Sequence, residues 1–388
     1  MTEKNKSKLL VISNSFPPLL DASAVLVNNI FSKYEGELYA IGGTTFTKYD
    51  PDFKAPCETK YIRFPRNRFF EFLSNFQLQF FWVYYWYLYF LTKRINPNMI
   101  FGNYPNEVMF VASYKISRKL KIPFYAYMHD LWEENTENQK LRFASKWEKK
   151  ILTDSRRVFC CTEKQQEHYR LKYGIETFLL LHPIPDEDLN DISFQTLNSE
   201  IKEIAFVGSN SAAMNRDALK TISNAMKYLP ENYKFIWYPI NDIPLEALNK
   251  FGFDTSKIEI RVVSTNDMRI SLKKSDVLIA PLSFKNCSHN EVKTVFSNKL
   301  LTYFISGRPV LVYGPADSYH SASARKDGWG VVVDSEDEKN LASKIEELTK
   351  NEAMQNQIVQ KAIIEAHKRK ASKQSEKLFA WVKADIMN

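Results

Sequence analysis

Phe296-Ser-Asn-Lys-Leu-Leu-Thr-Tyr-Phe-Ile-Ser-Gly-Arg-Pro-Val-Leu-Val-Tyr313 reads as a helix that feeds directly into a buried strand. Leu300, Leu301, Phe304 and Ile305 fall on one helical face, and Gly307 supplies the stop. The helix is expected to open near Ser297 and the strand to run from Pro309 to Tyr313. Lys299 is out of place, because a cation in a first turn opposes the helix dipole at a cost of roughly 0.3–1 kcal/mol. Two explanations stand open: the lysine points into solvent, or an anion joins it. A helix N-terminus with free N–H groups and an ammonium is a phosphate site, which makes Ser297, Asn298 and Lys299 candidates.

Outward from this stretch, short apolar segments alternate with helical ones in two series. The first is Leu9–Ser13, Leu38–Ile41, Met99–Phe101, Phe124–Met128 and Val158–Thr162. The second is Ile204–Val207, Lys234–Tyr238, Ile258–Val263, Val277–Pro281, Pro309–Tyr313 and Gly330–Val333. Hydrophobicity is mostly continuous within them, as in parallel strands buried on both faces. The pattern predicts an α/β chain with two Rossmann-like domains facing across a cleft. Their boundary is expected in the turn-rich, acidic segment from His182 to Ser199. From Glu338 onward the chain reads as two or three helices, the last with Leu378, Phe379, Trp381 and Val382 as an apolar stripe.

At 388 residues, 44% hydrophobic and 25% charged, the chain can bury the cores of two globular domains. The net charge of +8 suits phosphates or anionic lipid head groups as partners. It is spread without a basic arm or nucleic-acid motif, so no nucleic-acid partner is expected. The four cysteines show no metal-ligand spacing, and Cys160 and Cys161 lie in an apolar run that suits a reducing cytosol. Met1–Lys8 leads straight into a strand, so no secretory leader is expected. The longest apolar run, Phe80 to Leu91, is too short to span a bilayer. A cytoplasmic protein, peripheral at most on the inner face of the cell membrane, is the expectation.

In open α/β sheets, ligands bind at the loops after the strands' carboxyl ends. After the first strand, Asn14-Ser15-Phe16-Pro17-Pro18 leads to Ser23, a proline-stiffened loop that either is structural or lines the reaction centre. After Phe124–Met128 come His129 and Asp130, placed for catalysis or for holding a sugar hydroxyl, though a structural pair fits equally. After Ile204–Val207 come Gly208 and Ser209, where backbone can approach a phosphate, and then Arg216. No dinucleotide fingerprint, P-loop or HExxH is present, and no Asp-x-Asp triplet of the kind that holds a metal-bound diphosphate is read. A metal-independent reaction without a cofactor is therefore favoured.

Residues 67–94 hold most of the aromatic excess, flanked by Lys60, Arg63, Arg66 and Arg68 before and Lys93 and Arg94 after. The segment reads as a helix packed on the first sheet, as a surface that lies on an anionic membrane, or as both.

In this order the pieces resemble the two-Rossmann GT-B glycosyltransferases, and most the retaining family four of bacterial polysaccharide and glycolipid transferases. The residues that carry the resemblance are Leu10–Pro18, His129–Trp132, Phe206–Gly208, Ser275–Pro281, Ser297–Tyr303 with Gly307–Val310, and Asp327–Val333. The resemblance implies an acceptor-binding domain over residues 1–190 and a nucleotide-sugar domain over 191–365. It implies that 366–388 forms a helix returning to the first. It also implies a UDP- or GDP-sugar donor and a glycan or lipid-linked acceptor, in surface polysaccharide synthesis.

On that resemblance His129 and Asp130 sit near the reacting sugar, with Ser15 and Ser23 on the acceptor side. Gly208, Ser209, Arg216, Ser297, Asn298 and Lys299 contact the donor diphosphate. Thr302 stands where the family carries a ribose-binding glutamate, and Thr294 where it carries the partner glutamate. Two rivals share the fold. A nucleotide-sugar 2-epimerase would need glycines that Phe284–Glu291 lacks, whereas a catalytically silent subunit binding a partner transferase would explain the missing carboxylates.

Overall fold

The computed structural model describes residues 8–14, 16–17, 22–31, 33–42, 59–63, 76–285 and 290–387. The backbone forms two compact units. One comprises Met1–Asp186 with Arg369–Asn388, and the other Glu187–Lys368.

The first unit is built on a seven-stranded parallel sheet. Its strands are β1 (Lys8–Ile12), β2 (Glu37–Gly42), β3 (Thr59–Arg63), β4 (Met99–Tyr104), β5 (Phe124–Met128), β6 (Arg157–Cys160) and β7 (Phe178–Leu179), in the order β3-β2-β1-β4-β5-β6-β7. The reversal of direction on either side of β1 is the doubly wound topology. Every residue of β4 and β5 is buried, which explains the apolar runs Met99–Phe101 and Phe124–Met128. Two strands escaped the sequence pattern: β3, Thr59-Lys-Tyr-Ile-Arg63, carries charge at two positions, and β7 has only two residues.

Helices Ala22–Ile30, Phe81–Ile95, Glu107–Leu120, Asn138–Asp154 and Glu163–Tyr173 complete this unit, with a last one from far along the chain, Ala371–Met387. That last helix buries Leu378 and Val382 beside Phe31. Phe379 lies 4.7 Å from the Tyr34 ring, and Trp381 lies 5.6 Å from Phe159 and 5.2 Å from Phe178. Asp385 then receives a bidentate pair from Arg157, both contacts at 2.7 Å.

The second unit holds a six-stranded parallel sheet of β8 (Lys202–Val207), β9 (Tyr233–Tyr238), β10 (Ile258–Ile260), β11 (Val277–Pro281), β12 (Val310–Tyr313) and β13 (Val331–Val333). The order is β10-β9-β8-β11-β12-β13, doubly wound like the first. All six strands of the second apolar series are found. The helix expected to open near Ser297 is α-helical only over Lys299–Phe304 and enters through a tighter turn, with Leu300 N–H bonded to the Ser297 carbonyl at 3.0 Å. Gly307 ends that region at φ 72°, and a Cβ there would stand 2.3 Å from the Ser193 carbonyl oxygen. Among the described residues no helix is long and apolar enough to cross a membrane.

Candidate functional site

The turn that opens the Lys299–Phe304 helix meets the end of β8. Gly208, directly after β8, has φ 132°, a backbone setting that disfavours side chains. Its N–H bonds to the Tyr238 carbonyl at 3.0 Å, and its own carbonyl accepts the Trp237 indole N–H at 2.7 Å. A Cβ on Gly208 would lie 3.4 Å from Cε and 3.7 Å from Nζ of Lys299, so the lysine lies along this bare stretch of backbone. The same ammonium stands 5.0 Å from the centre of the Phe206 ring. Burial pulls it down to about 8, and no carboxylate pairs with it among the described residues. Gly208 and Lys299, singled out separately in the sequence, are thus neighbours.

The rest of the turn divides its donors. Ser297 N–H is taken by Nε2 of the buried His320 at 3.0 Å, so it is not the free donor expected there. The N–H groups of Asn298 and Lys299 have no acceptor among the described residues. The Asn298 side-chain oxygen is likewise enclosed without a partner among them. Tyr303 hangs from this helix into the sheet, where its hydroxyl accepts the Val207 N–H at 3.0 Å and donates to the Ile279 carbonyl at 3.2 Å. The sequence analysis gave Tyr303 no role, and only the strand order shows that its hydroxyl ends between β8 and β11.

Arg216 opens the next helix, Arg216–Ala225, but its guanidinium is engaged. It donates to Asn210 Oδ1 at 3.1 Å and lies 4.8 Å over the Phe251 ring. The Ser209 carbonyl accepts the Asn215 amide at 3.2 Å, and the Asp217 carboxylate holds the Phe284 and Lys285 N–H groups at 2.9 and 3.0 Å. These bonds tie the loop after β8 to the loop after β11. Thr302 lies within the Lys299 helix, half-buried, and Thr294 spends its hydroxyl on the Asn290 carbonyl one turn back at 2.8 Å.

In the first unit His129 follows β5 as expected and is buried. Its Nδ1 lies 3.1 Å from Nε2 of His182, its ring is 4.3 Å from Tyr127, and its carbonyl accepts Gln165 at 2.8 Å. Burial depresses the imidazole to about 3, so it is neutral at ordinary pH, and Nε2 has no partner among the described residues. His182 was read only as part of the domain boundary. Asp130 beside it is half-buried. Ser15 lies outside the described residues, and Ser23 is placed by its backbone in the Ala22–Ile30 helix.

One charged cluster went unseen in the sequence because its members are far apart. Lys172 contacts Glu133 at 2.7 Å, Glu134 at 2.6 Å and the buried Glu148 at 3.2 Å. Burial raises the Glu134 carboxyl, but His168 and Lys172 outweigh it and leave the group at about 2. Burial also raises Glu148, whose carboxylate accepts the Glu133 N–H at 2.5 Å. The cluster clamps the loop carrying His129 and Asp130 to the two helices that follow it.

Asp-x-Asp triplets do occur, which corrects the sequence reading. Asp50–Asp52 lies outside the described residues. In Asp186–Asp188, Asp186 accepts the Ser372 N–H at 2.9 Å and Asp188 pairs with Arg269 at 2.8 Å, so both are engaged in structural contacts. No group of three or more His, Cys, Asp or Glu is set to hold a metal among the described residues.

Residues 44–178 match the family described as Glycosyltransferase Family 4. No curated protein sequence matches the chain. Among solved structures, HepE from Anabaena in complex with UDP and glucose is similar over 97% of this chain and 99% of its own, at 12% identity and TM-score 0.67. A glycosyltransferase from Rickettsia africae covers 99% and 100% at 13% identity and TM-score 0.70. Sucrose-phosphate synthase from Thermosynechococcus elongatus covers 98% and 99%, also at 13% and 0.70. At such identities the likeness establishes the fold, and the matched segment adds the enzyme class. The chain is a glycosyltransferase of the GT-B fold, similar over residues 44–178 to Glycosyltransferase Family 4.

Proposed function

We propose that the chain moves a sugar from a UDP- or GDP-linked donor to a glycan or lipid-linked acceptor in bacterial surface polysaccharide synthesis, with retention and without a metal. The observation that carries the donor half is Lys299, half-buried against Gly208 and Phe206 with no carboxylate partner among the described residues. A sheltered ammonium beside bare backbone suits a diphosphate. HepE, with UDP and with UDP-glucose bound, supports the same ligand class.

In this mechanism the bond between the anomeric carbon and the diphosphate breaks, and negative charge develops on the departing phosphate. Lys299 and the N–H groups of Asn298 and Lys299 stabilise that charge, the main electrostatic task in a reaction without a metal. Thr302 supplies at most a hydroxyl where a ribose-binding carboxylate was expected. His129, held neutral at about 3, is too weak a base to take the acceptor's proton. The departing phosphate can take the acceptor's proton, which is why retention fits better than inversion.

Calorimetry with UDP and GDP tests the donor site, with Lys299→Ala expected to weaken binding at least about tenfold, roughly 1.4 kcal/mol. Absence of binding by both nucleotides, or equal affinity in the variant, overturns the assignment. Nucleotide release in a donor screen with lipid-linked and oligosaccharide acceptors then identifies the substrates.

A further inference from the structure

The helix Phe81–Ile95 has two unlike sides. Phe81, Tyr84, Tyr85, Leu88, Thr92 and Ile95 are buried against the first unit's core. Trp82, Trp86 and Phe90, spaced four apart and so on one face, are 57%, 43% and 64% exposed. Large aromatics in a row on the outside are costly to leave in water and mark a contact surface.

The neighbouring helix Glu107–Leu120 sets cations beside this row. Lys119 Nζ stands 4.4 Å from the ring centres of both Trp86 and Tyr89, and Lys115 Nζ stands 5.1 Å from Trp82. Together with Asn138–Asp154, the three helices carry ten Lys and Arg against three acids. Those acids do not offset the field outside: Glu148 is buried, Glu107 is paired with Lys140 at 3.1 Å, and Asp154 accepts the Tyr114 hydroxyl at 2.5 Å.

We infer that Trp82, Trp86 and Phe90, with Lys115 and Lys119 beside them, form a docking face for an anionic lipid bilayer. Indole rings sit at the head-group level of a bilayer, and cations beside them are drawn to an anionic surface. This moves the basic half of the surface from the cations flanking residues 67–94 to the next helix along. A second copy of the chain is the poorer occupant, since the same positive face would oppose itself. The inference does not depend on the donor site, and nucleotide binding can survive its failure.

The test is flotation of the whole protein with phosphatidylcholine vesicles, with and without phosphatidylglycerol. Binding is expected only to the anionic vesicles. Lys115→Glu with Lys119→Glu should reduce it roughly tenfold or more, and Trp82→Ser with Trp86→Ser and Phe90→Ser by a similar factor. Circular dichroism and UDP calorimetry on each variant establish that it is folded. Equal partition of wild type and folded variants overturns the inference. So does a vesicle-independent dimer that the aromatic substitutions dissolve.

Discussion

The Tyr303 hydroxyl accepts the backbone N–H of Val207 at 3.0 Å, so the helix that carries Lys299 is latched to the strand that delivers Gly208. Both members of the candidate phosphate site are therefore set by one buried phenol. Tyr303→Phe removes that bond and leaves the Val207 N–H and the Ile279 carbonyl unpaired inside the sheet. The expected cost is about 1–3 kcal/mol in denaturant unfolding. UDP affinity should fall as well, although Tyr303 is not placed to touch the nucleotide. Full affinity in a destabilised Tyr303→Phe would separate the latch from the site.

Lys299 works against the fold that holds it. Its ammonium lies at about 8 when folded, against 10.5 when unfolded, so between those values the unfolded chain binds more protons. Stability therefore rises with pH across that window. Nucleotide affinity should move the opposite way, since the diphosphate needs the charged form and loses it above about pH 8. Lys299→Met is expected to abolish the pH dependence of both while leaving the apo protein at least as stable. Calorimetry and urea melts from pH 7 to 10 measure the two slopes, and parallel slopes would sink the reading.

The His129 imidazole gives the acid-side counterpart. At about 3 folded and 6.5 unfolded, it takes up its proton preferentially in the unfolded chain. Stability should fall as pH drops from about 6.5 towards 3, with no effect above. His129→Gln should flatten this part of the profile. Activity should show no titration near pH 6.5 that disappears in the variant, because a neutral imidazole is the form in use throughout.

Gly307→Ala tests the turn before β12. The positive φ and the Ser193 carbonyl at 2.3 Å from a Cβ both resist the change. Thermal unfolding should reveal a loss of about 1–3 kcal/mol. A neutral outcome would mean that this turn relaxes readily.

The sheets were legible because parallel strands buried on both faces, such as β4, β5, β11 and β12, have no need of polar alternation. Strands β3 and β7 were not, one being charged and the other too short to carry a pattern. At the site, Lys299 was visible as a charge of the wrong sign in a first turn. Its contact with Gly208, ninety-one positions earlier, was not, since only the β8–β11 adjacency brings them together. His320 escaped notice for a similar reason: nothing local marks it as the acceptor of the Ser297 N–H. The Lys172 cluster is likewise assembled by tertiary packing from loops and helices whose own sequences look merely soluble.

The helix Ala371–Met387 seals a core whose other parts were made some two hundred and more residues earlier, packing Phe379 on Tyr34 and Trp381 on Phe159. During synthesis the first unit must wait, its face at Phe31, Phe159 and Phe178 uncovered, until the second unit has been translated. The second unit is continuous and can fold as it emerges. The order of completion is thus the reverse of the order of translation. A chain stopped short of Leu378 would lose the integrity of its earliest-made part and keep that of its latest.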